Sequence, residues 1–146
     1  MNDSNREKIS FLFPFKINED GNRQPVLVYE CNSLPDKTNI NLAVYFVGLK
    51  ASKIYDVQIN ITFNDKDILG DEFEKSKIFK VLPSDDGETL VSASFQATFK
   101  NVLMENSGIH RVSAYLYAEG FPSVPLATNR AYFDVKKIGE ARHEFI

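Results

Sequence analysis

The sequence has almost no cysteine, no tryptophan and no long apolar run, and these absences exclude several kinds of site and segment. The chain of 146 residues contains a single cysteine, Cys31, so an intramolecular disulfide and a zinc site made of several thiolates are excluded. Its apolar runs are only a few residues long, whereas a helix that crosses a bilayer needs about 20. We therefore expect no membrane-spanning segment, and we expect Cys31 to be a small buried apolar residue.

An excess of positive charge is also missing. Seventeen Lys and Arg residues against 20 Asp and Glu residues give a formal net charge of −3, which disfavours a broad phosphate-binding surface and hence a nucleic-acid partner. The polar stretch Met1–Ser10 is followed by an apolar run too short for the core of a signal peptide. The sequence therefore predicts a protein that is cytoplasmic, or exported by a route that needs no such signal, and that binds neither nucleic acid nor a membrane.

What the sequence does contain is alternation of apolar and polar residues with period two, which is typical of half-buried strands. The clearest examples are Tyr55–Phe63 and Thr89–Lys100, whose odd-numbered residues from Val57 and Val91 onward we expect to face the core. In a helix the same residues would be scattered around the whole circumference. Six weaker stretches follow the same logic: Ile9–Phe15, Val26–Cys31, Ile40–Val47, Lys77–Leu82, Ile109–Ala118 and Leu126–Val135.

Clusters of Asn, Asp, Gly, Pro and Ser separate these eight predicted strands, and no long amphipathic helix lies between them. The pattern predicts an all-β fold, a two-sheet antiparallel β-sandwich in which Lys100–Gly108 carries the chain from one sheet to the other. An eight-stranded up-and-down barrel is the alternative, which the unequal connections disfavour. We expect a flexible N-terminus over 1–8, one domain over 9–135, and a tail over 136–146 with a short helical turn.

The last quarter of the chain carries motifs of a known kind of domain. They are Ser107-Gly108-Ile109-His110-Arg111-Val112, Leu126-Ala127-Thr128 and Phe133-Asp134-Val135, preceded by Phe99-Lys100-Asn101-Val102. They resemble the closing half of small immunoglobulin-like β-sandwiches of uncharacterised bacterial and phage families, in which a glycine opens one strand and the last strand ends Phe-x-Val. His110 occupies the tyrosine position of that pattern, so the resemblance does not imply a tyrosine corner. It implies a fold and no particular activity.

Two histidines, His110 and His143, are the side chains suited to acid–base catalysis near neutral pH. Neither lies beside a nucleophile turn or in the spacing of a helical zinc site. We therefore interpret both as surface histidines, and the sequence predicts no enzyme activity.

One acidic loop offers oxygen ligands of the kind that calcium prefers. Its carboxylates are those of Asp65, Asp67, Asp71 and Glu72. The spacing fails as an EF-hand, because Leu69 and Ser76 stand where ligands are needed. We predict a solvated loop without metal or other cofactor. A carboxylate- or metal-dependent hydrolase that uses this loop is the enzyme alternative.

Two apolar features suggest contact with a partner. Phe121 and Val124 lie in a loop stiffened by two prolines, which makes them good anchors because a stiff loop loses little entropy on binding. The alternative is that Phe121 caps the end of the core. Tyr115 and Tyr117 share one face of a strand, which is either a recognition patch or a face that is buried or covered by the tail.

These features predict a non-catalytic protein-binding or structural module that acts through a protein partner or through self-association along a strand edge. A carbohydrate-binding module, with the two tyrosines stacked on sugar rings, is a further alternative. If all strands alternate in direction, four connections meet at one end of the sandwich, and the last of them is the loop that carries Phe121 and Val124. They are Lys16–Gln24, Gly48–Ile54, Pro83–Glu88 and Glu119–Pro125.

Overall fold

The computed structural model describes residues 6–83 and 90–138, which form ten strands and one short 3₁₀ helix, Gly70–Glu72. The strands are β1 (Lys8–Ile17), β2 (Arg23–Pro25), β3 (Val28–Cys31), β4 (Asp36–Lys50), β5 (Ile54–Phe63), β6 (Lys66–Asp67), β7 (Ser76–Lys80), β8 (Leu90–Met104), β9 (Gly108–Ala118) and β10 (Ala127–Lys137). No helix in these ranges is long and apolar enough to cross a membrane.

The strands form the two sheets of a β-sandwich, which confirms the predicted fold class. Sheet A has the order β2-β1-β4-β8, and sheet B has the order β3-β10-β9-β5-β6, with β7 also paired to β5. Every pair is antiparallel except that of β3 with β10. Two separate sheets exclude the barrel alternative.

The inward side chains of both sheets form one apolar core. In β5 the odd-numbered residues from Tyr55 to Ile61 are buried, as the alternation predicts. In β8 the odd-numbered residues from Val91 to Ala97 also point inward, but they are only half-buried because β8 is the edge strand of sheet A. Cys31 is buried in the core as expected.

The predicted strand Val26–Cys31 corresponds to β3 in sheet B, and a separate strand, β2, precedes it in sheet A. Residues Arg23–Pro25 pair with β1 in sheet A, and the chain then crosses to sheet B, where Val28–Cys31 runs parallel to β10. The hydrogen bond from Asp134 N to Leu27 O, 2.8 Å, fixes the crossing. Alternation cannot reveal such a change, because the residues keep their apolar pattern whichever sheet receives them.

The predicted crossing segment Lys100–Gly108 is shorter than expected. Residues 100–104 continue β8 and pair with the start of β4 beyond an irregularity in the ladder, so that only 105–107 join the sheets. Asn101 adopts a positive φ of 59° at this irregularity, and its backbone N–H donates to Asn39 Oδ1 at 2.9 Å. A bulge of this kind allows β8 to continue as one long edge strand on both sides of the irregularity.

The described end of the predicted flexible N-terminus is fixed to the body. Glu7 is 1% exposed, and its Oε2 accepts hydrogen bonds from Lys53 Nζ and Tyr55 Oη, both at 3.0 Å. Gly48 allows the chain to approach here, because a Cβ at that position would collide with the carbonyl oxygen of Arg6. At the other terminus β10 extends to Lys137, and the predicted helical turn lies outside the described residues.

Candidate functional site

The β9–β10 loop presents the two apolar residues that the sequence singles out. Phe121 and Val124 are each 70% exposed, so Phe121 does not cap the core. Two backbone hydrogen bonds close the base of the loop, from Phe121 N to Ala118 O at 3.1 Å and from Leu126 N to Leu116 O at 2.7 Å. The loop therefore holds two exposed apolar side chains on a fixed base.

Only some of the predicted connections surround this loop. Gly48–Ile54 shares its end of the sandwich, because Glu119 N donates to Ile54 O at 3.2 Å. Lys16–Gln24 lies at the opposite end, contrary to the prediction. The reason is that β2 is an additional strand before β3, so the chain reverses direction once more than predicted. Of Pro83–Glu88, Pro83 follows β7 toward the same end as Phe121, and 84–88 lies outside the described residues.

Tyr115 and Tyr117 lie on the outer face of sheet B, and both are half-buried. Their ring centroids are 6.4 Å apart. Their partners across the β5–β9 ladder are Gln58 and Asp56, two polar residues of the same face. The face that carries the tyrosines is therefore not the one that forms the core, and it stays a candidate recognition patch.

The acidic loop does not gather its carboxylates around one point. Asp65 Oδ1 lies 3.4 Å from the guanidinium of Arg111, and Asp67 forms an ion pair with Lys75. Burial raises the pKa of Asp67, but the hydrogen bonds from Lys75 and from backbone N–H groups outweigh it and hold the pKa below the ordinary value. Asp71 and Glu72 are exposed in the 3₁₀ helix. Within residues 6–83 and 90–138, no three His, Cys, Asp or Glu side chains are arranged to hold a metal.

The interpretation of His110 as a surface residue is wrong. Its side chain is 1% exposed and lies between the rings of Phe63 and Phe133, with centroids at 4.7 and 5.2 Å. Nδ1 is 2.9 Å from the carbonyl oxygen of Gly108. Burial lowers the pKa of His110, which favours the neutral ring in the core. His143 lies outside the described residues.

A groove that the sequence did not predict runs between β8 and the segment 72–78. It encloses about 630 Å³, and its floor includes Val57, Ile59, Phe95 and Phe99. A second depression of about 800 Å³ shares Glu72 and Phe73 with the first and continues to 100–106. The two depressions meet at Glu72 and Phe73, and residues of β8 from Phe95 to Leu103 line one or the other.

One edge of β8 faces this groove without a strand partner among the described residues. Among residues 6–83 and 90–138, β8 pairs only with β4 on its other side, so its outward backbone N–H and C=O groups have no strand partner there and can receive another strand. Between Leu90 and Phe99 the strand has no charged residue and no proline. This uncharged polar face was the signal in the sequence, but alternation alone does not tell an edge strand from a central one.

An aromatic cluster on the outer face of sheet A holds β8 in place. The guanidinium of Arg23 lies 4.9 Å from the ring centroid of Phe15 and donates to Tyr45 Oη at 3.1 Å. It also donates to Gln96 Oε1 of β8 at 2.7 Å. Phe13 stacks on Tyr45 with centroids 6.0 Å apart. Contacts therefore cross the whole sheet from β2 to β8, which fixes the polar side of the edge strand.

No protein-family profile matches the chain, and no curated protein matches its sequence. Solved structures share its fold. A bacterial adhesin from Mobiluncus mulieris with intramolecular disulfide, isopeptide and ester cross-links is 14% identical, with a TM-score of 0.50 over 88% of this chain and 57% of the adhesin chain. A putative β-galactosidase from Bacteroides fragilis is 12% identical, with a TM-score of 0.55 over 86% of this chain and 17% of that chain.

The chain thus spans little more than half of the adhesin chain and a small part of the galactosidase chain. At identities this low the similarity shows a common β-sandwich fold and nothing about activity.

Proposed function

We propose that the chain is a non-catalytic protein-binding module that takes up an extended polypeptide segment as an added strand on β8. The observation that carries this proposal is the free, uncharged edge of β8 beside the groove. Strand addition of this kind obtains affinity from main-chain hydrogen bonds and specificity from pockets for alternate side chains.

The dimensions of the site suit such a ligand. A strand rises about 3.3 Å per residue, so the uncharged part of β8 offers roughly 30 Å of edge. Beside Phe95–Phe99, every second side chain of an added strand would point into the groove, where Phe95 and Ala97 are half-buried beside buried Val57 and Ile59. An apolar side chain placed there would be removed from water, and it would also cover apolar surface of the half-buried groove residues.

The candidate catalytic groups support a role without chemistry. His110 is enclosed by aromatic rings in the core and is only 1% exposed. Two carboxylates of the acidic loop, Asp65 and Asp67, are engaged with Arg111 and Lys75. The fold shared with a bacterial adhesin is compatible with a binding module, and the argument for the kind of partner rests on β8.

The test uses amide hydrogen exchange by NMR at low protein concentration. The probe is a synthetic peptide of alternating Val and Thr as long as the uncharged part of β8. We expect protection of the outward amides between Leu90 and Phe99 when the peptide is added. We expect the Ser94→Lys variant to bind it more weakly, because a lysine on a strand edge discourages pairing.

The matched control is Thr128→Lys, which adds the same charge at an exposed position on β10 in sheet B. It should bind the peptide as the unmodified protein does. Protection that appears elsewhere, or no protection at any peptide concentration, contradicts the proposal.

A second candidate surface is the β9–β10 loop, because Phe121 and Val124 are each 70% exposed while backbone hydrogen bonds fix the base of the loop. We infer that a folded protein partner would use these two side chains as apolar anchors. A Phe121→Ala, Val124→Ser variant should then lose affinity for a partner recovered with the unmodified chain, while keeping its β8 peptide binding. Full retained affinity for that partner would exclude the loop.

A further inference from the structure

The other strands that end a described sheet, β2, β3, β6 and β7, are short and carry charge or proline. β2 has three residues, including Arg23 and Pro25, and β6 consists of Lys66 and Asp67 alone. β3 has four residues, and β7 has five, two of which are lysines. Short length, lysine and proline are the means by which natural sheets prevent edge pairing. β8 has 15 residues and none of these features between Leu90 and Phe99.

The residues of β8 are nearly symmetric about Phe95. Alanine stands two residues away on either side, small or uncharged polar residues stand one and three residues away, and apolar residues stand four residues away. In chain order these are Val91, Ser92, Ala93, Ser94, Phe95, Gln96, Ala97, Thr98 and Phe99. A strand with this symmetry suits an antiparallel copy of itself, because each residue then meets one of its own class.

We propose that the partner strand at β8 is β8 of a second copy of the chain, paired antiparallel with Phe95 opposite Phe95. In this register Ala93 lies opposite Ala97, and Ser94 lies opposite Gln96. No like charges meet across the pair, which would otherwise destabilise it. This inference rests on the proposed function, since it names the occupant of the same edge.

The pairing preserves the two faces of sheet A. Residues directly opposite in an antiparallel pair lie on the same face, so the inward Phe95 of one copy stands beside the inward Phe95 of its partner. A shift by one residue would instead put inward residues opposite outward ones. The result is a two-fold dimer in which two four-stranded sheets A form one sheet of eight strands.

The dimer also covers surface that the single chain leaves open. Phe95 and Ala97 are half-buried and line the groove in the single chain, and a strand laid along the edge removes part of their apolar surface from water. The contacts of Arg23 with Tyr45 and Gln96 already hold the outer side of β8 in the single chain. Pairing therefore costs little additional conformational entropy in this strand.

Sedimentation velocity of the full chain across a wide concentration range tests the dimer. We expect a reversible monomer–dimer equilibrium in the unmodified protein and in the Thr128→Lys control. Ser94 lies diagonally across the two-fold axis from its own copy, within reach of long side chains. Ser94→Lys and Ser94→Glu should each weaken dimerisation at least tenfold, and an equal mixture of the two variants should form the mixed dimer.

Two outcomes overturn the inference. One is an unmodified chain that stays monomeric at every concentration, and the other is a dimer that both Ser94 variants leave intact. The peptide experiment keeps this failure distinct from failure of the proposed function. A monomeric chain whose β8 amides are protected by the Val and Thr peptide binds a foreign strand, whereas a chain that does neither has no strand-addition site at β8.

Discussion

Glu7 shows how one buried charge can fix the beginning of a chain. Its carboxylate is almost fully buried, yet it receives hydrogen bonds from Lys53 and Tyr55, and Tyr55 Oη in turn accepts one from Lys50 N at 2.8 Å. Burial raises the pKa of Glu7, but these hydrogen bonds outweigh it and lower the pKa below the ordinary value. Burial is also the largest cause that raises the pKa of Tyr55, to about 12.

The Glu7→Gln substitution should destabilise the protein by about 1–3 kcal/mol near neutral pH, because hydrogen bonds to a charged group are lost. Since the folded-state pKa of Glu7 lies below its ordinary 4.5, the contribution is complete above that pH and disappears as the pH falls through the folded-state pKa. Urea unfolding of both proteins between pH 7 and pH 3 should show the difference shrink. A difference independent of pH, or one equally large for exposed Glu19→Gln, would contradict this role.

Phe121 and Phe133 allow a direct comparison of an exposed and a buried ring. Phe121→Ala should change the free energy of unfolding by less than about 0.5 kcal/mol, because the side chain is 70% exposed. Phe133→Ala should cost about 3–5 kcal/mol, because its ring packs on His110 and Tyr29 in the core. Chemical denaturation measures both, and a large loss for Phe121→Ala would show that the loop is part of the core.

Strands with the same alternation contribute differently to the free energy of unfolding, because they are covered by different numbers of neighbouring strands. β5 lies between β9 on one side and β6 and β7 on the other, so Ile59 is buried. Ile59→Ala should cost about 2–5 kcal/mol. Phe95→Ala should cost clearly less, because Phe95 is half-buried on an edge strand. Unfolding at low concentration, where β8 is unpaired, tests the order, and a larger loss at Phe95 would contradict it.

The sequence predicts the positions of the strands better than it predicts which strands pair with each other. The alternation in Tyr55–Phe63 depends on one buried face and is visible locally, so the predicted strand differs from β5 only by Ile54 at its start. The change of sheet between β2 and β3 and the edge position of β8 depend on contacts distant in sequence, such as Asp134 with Val28. The groove follows from those contacts, and for that reason neither it nor the burial of His110 could be predicted.

At the scale of the whole molecule, the two ends of the described chain are joined. β3 pairs with β10 across more than a hundred residues, and the Asn129 side-chain amide donates to the carbonyl of Ile9 in β1 at 3.0 Å. Strands from both sheets contribute to one core cluster that includes Cys31. With a single core closed by its first and last strands, the molecule is expected to unfold in one cooperative transition.

Cys31 is the natural reporter of that transition, because it is the one cysteine of the chain and is buried between the sheets. Burial raises the pKa of its thiol, so the folded protein should react slowly with a thiol reagent. A brief pulse of the reagent across a guanidinium series should give a labelled fraction that follows the loss of β-sheet circular dichroism. Labelling at lower denaturant would mean that β3, a short edge strand paired in parallel with β10, opens before the sandwich does, and the single-transition expectation would then be wrong.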